Sequence, residues 1–495
     1  MIAFAIGVLA QAWSGQAQAG TISSFTTGDL VISVYGDGDG SGTYADNAAA
    51  PITLQEVTTT GAVVGQLVLP QTTTTTGGVT NFAISGEYGS SSEGLLQRSA
   101  NGQYLTIAGY GVNASTFNAN PQNYGGGTKS CIGNANPCFP LGQTSSVPGF
   151  AASAGAQAVG VTSTITVPRV IALIGGNGSV DTSTALNNVF NENNPRSVVT
   201  VDGSSFYISG QGASSSDKTT QGLFYATRGA TTATPIDTSF DTRTVEIQNN
   251  QLFLSADSTE GSGVHENISS YGTPGSLPTT ASTATVLPNL QSKYTFTSVS
   301  QLNSIDQGIE GNPALSKNKI YLSPESYFFA NATTLYVADS GNPKGDNNGA
   351  AGVAQGLSNG GLQKWSLVGG QWILDYTLSA GLDLVPDTTP CGANQVGCGT
   401  TGLIGLTGEV IGGTVELFAT NSTLGDEDQT FLYGIDDTLA STTLPSGETF
   451  VTLDTAAPDT NIRGVSFAPV PEPASLTLLA TGLLGVGALR RRRTM

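Results

Sequence analysis

One phrase recurs along this chain and limits what it can become: a polar turn, a short apolar stretch with an aromatic residue, then a small residue. It reads Asn101-Gly-Gln-Tyr-Leu-Thr-Ile-Ala-Gly, Asp202-Gly-Ser-Ser-Phe-Tyr-Ile-Ser-Gly, Asn249-Asn-Gln-Leu-Phe-Leu-Ser-Ala-Asp, Lys317-Asn-Lys-Ile-Tyr-Leu-Ser, Asn331-Ala-Thr-Thr-Leu-Tyr-Val-Ala-Asp and Gly412-Gly-Thr-Val-Glu-Leu-Phe-Ala-Thr. The first and last keep the pattern loosely. Gly, Asn and Asp tolerate the positive φ of a tight hairpin, and the apolar triplet then enters a sheet. Two copies extend further back, as Arg196-Ser-Val-Val-Thr-Val and Arg243-Thr-Val-Glu-Ile, and the final strand phrase Arg463-Gly-Val-Ser-Phe repeats the Arg-x-Val opening. Gly222-Leu-Phe-Tyr-Ala-Thr and Gly361-Leu-Gln-Lys-Trp-Ser-Leu read as the strands that follow in the same unit.

A strand covered on both faces carries a continuous apolar run rather than a clean alternation. Repeated units that cannot bury both faces alone imply neighbours, and a spacing near 40–50 residues is that of a four-stranded propeller blade. The expected fold is therefore all-β: a β-propeller over 20–468, with a β-sandwich array or β-helix as alternatives. About seven blades are expected, at roughly 60 residues each with long loops. Ring closure should pair Leu30–Val34 or Thr53–Val57 with Val465–Phe467. Gly/Ser/Thr/Asn-rich stretches read as loops: Gln71–Val79, Tyr124–Gln143, Ser258–Ser282, Gly341–Gly361 and Pro386–Thr401.

The two ends read as addresses. Residues 1–13 are mostly apolar, and Ala17-Gln18-Ala19 before Gly20 has the small-x-small form of a signal-peptidase site, so 1–19 is expected to be a signal peptide. A basic residue ahead of the apolar stretch, usual in such leaders, is absent. At the other end, Val470-Pro471-Glu472-Pro473 precedes an apolar run from Ala474 to Leu489, and Arg490, Arg491, Arg492 and Arg493 follow. The apolar run can enter a bilayer and the arginines stop it, leaving them cytoplasmic. The run is shorter than the roughly twenty residues of a stable span, which suits a segment held briefly.

This ordered ending over 469–495 resembles the PEP-CTERM sorting signal, carried by exported proteins of Gram-negative bacteria that make extracellular polysaccharide. The resemblance implies processing by exosortase at or near Pro-Glu-Pro and transient anchoring in the inner membrane. It also implies a cell-surface or matrix destination. More loosely, the body resembles the propeller-type ectodomains found on such proteins.

Charged residues are only 11% of the chain, well under the roughly 25% usual in soluble domains. Removing Glu472 and the four terminal arginines from the 36 acidic and 17 basic residues leaves 35 against 13, net −22. Such a surface argues against nucleic acid and anionic lipid as partners. Extracellular polysaccharide or surface proteins remain as partners. Cys131/Cys138 and Cys391/Cys398 each form a C-x6-C pair in a turn-rich stretch, which in an exported chain reads as two local disulfides.

Candidate chemistry is sparse. Asp37, Asp39 and Ser41 open a stretch like a calcium loop, but Ala48 stands where the bidentate Glu should be. No cofactor is expected beyond this possible Ca2+. Asp339 opens an acidic loop that could face a central mouth or simply cap a turn. The one histidine, His265, has no nucleophile-elbow motif to serve. The expected function is a non-catalytic binding or structural platform. The alternative is a secreted polysaccharide-active hydrolase or lyase, whose carboxylate pair could be assembled from distant blades.

Overall fold

The computed structural model describes residues 20–40, 44, 47–124, 139–149, 165–213, 218–258, 265–290, 293–295, 319–321, 323–341, 360–384, 390–391, 395–396, 399–423, 425 and 428–471. They form strands almost throughout; the one α-helix, Ala114–Ala119, is capped by the Asn113 side chain, which accepts from Thr116 N.

Four discrete antiparallel sheets of four strands each succeed one another. The first blade is Pro195–Thr200, Ser205–Gly210, Gly222–Thr227 and Thr234–Asp237. The second is Val245–Gln248, Gln251–Ser258, His265–Tyr271 and Thr285–Val286. The third is Pro324–Asn331, Thr334–Asp339, Gly361–Val368 and Gln371–Leu378, and the fourth Thr400–Ile411, Thr414–Thr423, Phe431–Thr438 and Val451–Thr455.

A ten-stranded sheet fills the rest. It holds a closing stretch (Thr460–Phe467, Leu30–Gly36, Ala49–Val57, Val63–Val68) and an entry stretch (Gln97–Arg98, Tyr104–Tyr110, Arg169–Gly175, Val180–Leu186). The short strand Ser85–Glu87 joins them by pairing with both Ala49–Pro51 and Tyr110. The first strand of each unit packs against its neighbour, and the series returns on itself where Thr460–Phe467 meets Gln97–Arg98.

The recurring triplet works as a two-sided connector, because successive strand residues point to opposite faces. Phe206 and Ile208 pack with Ile171 and Leu173 of the entry stretch, while Tyr207 packs with Val245, Leu252 and Leu254 of the second blade. Leu335 and Val337 face Ile268 of the second blade, whereas Tyr336 faces Leu403 and Val415 of the fourth. Each large apolar side chain so buried contributes about 1.5–3 kcal/mol.

A Ser or Thr in the second strand of most units is a latch. Ser33 Oγ donates to Gly94 O at 2.6 Å, Thr106 Oγ1 to Val198 O at 2.5 Å, and Ser209 Oγ to Arg243 O at 2.5 Å. Ser255 Oγ donates to Glu325 O at 2.9 Å and Thr420 Oγ1 to Arg463 O at 2.7 Å. Every one of these acceptors lies at or beside the first strand of the next unit. Between the third and fourth blades the position is Ala338, paired with Ser326 as Ser209 is with Ser197. There the backbones touch instead: a Cβ added to Gly402 would lie 2.2 Å from Asp339 O. Replacing Thr106 by valine keeps the shape and removes the donor. It should cost about 1–2 kcal/mol in urea unfolding, with Thr106→Ser close to wild type. Equal midpoints for the two variants would count against the latch.

Closure occurs as the sequence suggested. Leu30 pairs with Phe467, Val31 with Ser466 and Ile32 with Val465, and Thr53–Val57 lies in the next strand out. The expected seven blades are not seen; the arrangement is propeller-like with four discrete blades. The seven came from dividing length by a mean. The chain instead spends residues on long connections such as 111–168, and Ser85–Glu87 fuses two four-strand runs into one sheet. Three expected loops also contain strands, Pro386–Thr401 among them through the pairing of Pro390–Cys391 with Gln395–Val396. His265–Tyr271 is the third strand of the second blade, with only Ile268 and Tyr271 as large apolar residues to mark it. Thr74–Thr76 pairs with Val79–Asn81.

The alternating strand directions give the ring two unlike faces. On one, the turns of neighbouring units touch: Ala100 N donates to Thr200 O at 3.0 Å, and Arg228 pairs with Asp181 at 2.6 Å. This turn face is closed largely by tight turns such as Gly369-Gly370 and Gly412-Gly413. The strand ends bounding connections 37–48, 111–168, 340–360 and 379–399 lie on the opposite, loop face.

Candidate functional site

The last folded residues form a clamp on the turn face. After Phe467, Ala468 N donates to Asp29 O and Val470 N to Gly102 O, each at 2.8 Å. Pro471 then passes so close over Gly176 that an added Cβ would fall 2.6 Å from its nitrogen. The start of the fold reaches the same turn: Phe25 N donates to Gly176 O at 2.9 Å. Further back, Gly20 and Thr21 pair in parallel with Gly65 and Gln66, and Ile22 is buried beside Gly65. Chain entry and chain exit thus converge at the turn 175–179.

The loop face carries most of the buried charges. Arg196 Nη1 lies 3.0 Å from Asp241 Oδ2 and also donates to Thr242 O, while its Nη2 donates to Gln211. One unit on, Arg243 stands 3.6 Å from both Asp257 and Glu325, and Ser340 Oγ donates to Glu325 Oε1 at 3.1 Å. Burial raises the Asp257 carboxyl to about 6 against the pull of Arg243. Asp339 accepts from Gly341 N at 2.8 Å and from Gln363 Nε2 at 2.7 Å. Burial raises it to about 8, opposed by the N–H groups of Gly341 and Ser323. On the far side of the ring Glu93 accepts from the Tyr110 hydroxyl and from Glu87 N, and burial raises it to about 7. The first two arginines mark the repeated Arg-x-Val opening: each starts a first strand and ties it to an acid in the neighbouring connection or unit. Such pairing lowers the cost of burying charge, although Arg196 Nε and Arg243 Nε are left without a hydrogen-bond partner among the described residues.

With this geometry established, comparison with known proteins adds the decisive point at the exit. The PEP-CTERM protein-sorting motif matches residues 469–493. The chain ends in a PEP-CTERM sorting signal. That tail marks an exported, surface-directed protein processed by exosortase. The PEP-CTERM motif therefore begins inside the clamp, since Pro469, Val470 and Pro471 are its described residues; Glu472, Pro473 and Arg490–Arg493 lie outside the described residues. Among the described residues no helix is long and apolar enough to cross a membrane. No curated protein matches the chain. Among solved structures, apo AztD from Citrobacter koseri is similar at 9% identity and a TM-score of 0.28, over 88% of this chain and 97% of that one.

The other expected site residues are placed as follows. Ala17 and Ala19 lie outside the described residues, and Gly20 opens the first strand. Cys131, Cys138 and Cys398 lie outside them too; Cys391 is in the short strand Pro390–Cys391, opposite Gln395. Asp37 is exposed at the loop face, where its Oδ1 accepts from Asp39 N at 3.2 Å and its Oδ2 from the Tyr44 hydroxyl at 3.2 Å, as in a side-chain-capped turn. Ser41 is not among the described residues. Among those residues no group of three or more His, Cys, Asp or Glu is placed to hold a metal ion. Asp339 ends a second strand rather than an inner one, and it caps the turn that follows.

Sequence reasoning overlooked Lys364 and Asp437. Lys364 Nζ lies 2.7 Å from Asp437 Oδ2, both side chains being at most 1% exposed. The signal available was a lysine in the middle of an apolar strand phrase, Gly361-Leu-Gln-Lys-Trp.

Proposed function

We propose that this PEP-CTERM protein is a non-catalytic, surface-displayed platform of the extracellular matrix, whose loop face binds extracellular polysaccharide. The observation that carries the reading is the opposition of the two faces. The sorting tail leaves from the turn face, while most of the long connections open from the other. A protein delivered by that tail presents its loop face outward, where loops on a rigid scaffold commonly carry recognition. The buried acids of the loop face are engaged by arginines, backbone N–H groups or a tyrosine, which suits a scaffold whose buried charges hold its shape.

The test has two parts. Mature protein recovered from the cell surface should end before Ala474 by mass spectrometry. Bulk material retaining Leu489 and Arg490 would overturn processing of the tail. The purified domain, residues 20–470, should bind the producing cell's own exopolysaccharide without shortening it. Glycan cleavage lost on replacing one Asp or Glu by its amide would replace the platform with the hydrolase or lyase reading.

A further inference from the structure

We propose that, before its tail is processed, the domain rests on the lipid bilayer through its turn face. This rests on reading the tail as a membrane-inserted sorting signal, and it adds which surface meets the lipid. The apolar run starts at Ala474, three residues beyond Pro471, which is packed against Gly176. Three residues span at most about 10 Å even when fully extended. The clamp therefore holds the turn face within that distance of the point where the chain enters the membrane. The entry segment reaches the same turn through Phe25, so a signal peptide still attached at Gly20 tethers the same face.

The surface itself agrees. Six of the ten exposed large apolar residues stand at turn-face strand ends: Val64, Val286, Val368, Ile373, Val410 and Ile411. Val368, at 62% exposure, and Ile411, at 51%, flank two tight glycine turns. They belong to the second, third and fourth blades and the closing stretch, one continuous arc. Exposed apolar residues scattered singly need no explanation, but their gathering at one end of a tethered ring does. Glu409, Glu416 and Asp436 lie in the same arc and repel one another, since the neighbouring acids add to burial in raising Glu416. The face therefore suits neutral rather than anionic lipid, and its adhesion comes from shallow apolar contact added to the tail.

The test uses the full chain in phosphatidylcholine vesicles containing brominated lipid, with tryptophan fluorescence as the readout. Ile411→Trp and Val368→Trp place reporters on the turn face, and Asp39→Trp places one on the loop face. The signal of the unmodified chain, with Trp365 and Trp372 buried and Trp13 in the expected signal peptide, is subtracted. The turn-face reporters should be quenched about twofold or more over the loop-face one, because side chains at an interface reach roughly 5–10 Å into the headgroup boundary. A chain running from Gly20 to Pro473, which has neither tether, should lose that difference. Equal quenching on the two faces, or stronger quenching at position 39, in a chain that sediments with the vesicles overturns the proposal. A full chain that does not sediment at all overturns the membrane reading of the tail, and the proposal with it.

Discussion

Replacing Asp437 by alanine should destabilise the domain by about 3–5 kcal/mol, the usual result of stranding one member of a buried ion pair. Lys364 reaches Asp437 Oδ2 at 2.7 Å and Thr438 O at 2.6 Å. The Tyr376 hydroxyl donates to Asp437 Oδ1 at 2.6 Å, and the Tyr336 hydroxyl donates to Oδ2. Lys364, Tyr336 and Tyr376 belong to the third blade and Asp437 to the fourth. This cluster therefore locks the one junction whose latch position is alanine. Without the carboxylate the ammonium keeps its desolvation cost and loses its main partner. The double variant Lys364→Met, Asp437→Leu should recover most of the loss, because packed apolar side chains replace a buried pair well. Urea unfolding reads both. A single variant costing under about 1 kcal/mol would place the pair among weak surface bridges and refute the lock.

Ending the chain at Ala456 should abolish cooperative folding. The truncation removes Thr460–Phe467, which pairs with Leu30–Gly36 and buries Ile462, Val465 and Phe467 against Leu30, Ile32 and Phe418. Three such side chains are worth about 1.5–3 kcal/mol each. The lost ladder adds to this, and whole domains are stable by only about 5–15 kcal/mol. The latch from Thr420 to Arg463 goes as well, and with it the junction between the fourth blade and the closing stretch. Near-ultraviolet circular dichroism and urea titration should show loss of a single transition, and a peptide covering 457–471 added in trans should restore it. A truncated chain with an unchanged transition would mean that closure is dispensable.

Both predictions follow from contacts across large sequence separations, and these divide what was legible from what was not. The strand phrases could be read directly, because a strand packed between two neighbours must be apolar on both faces. Phe206, Tyr207 and Ile208 satisfy that locally, whatever their partners are. The closing partners were legible for a similar reason: only end strands lack a sequential neighbour. The sorting motif was legible because its order of Pro-Glu-Pro, apolar run and arginines acts through local chain properties alone.

The number of discrete blades was not legible. It depends on how many residues the connections take and on whether a short strand such as Ser85–Glu87 bridges two units, and no local pattern fixes either. His265–Tyr271 was hidden because a polar strand held by its ladder looks like a loop until the pairing with Gln251–Ser258 is known. The Ser and Thr latches could not be told from other small strand residues, since their acceptors belong to the next unit. Lys364 and Asp437 stand 73 residues apart, and Tyr336 and Asp437 stand 101 apart. Local patterns were enough for the apolar strands, their need for neighbours and the address at the tail. Tertiary structure alone decided which charges meet and which face the tail leaves from, because both depend on the ring's closure rather than on any stretch of chain.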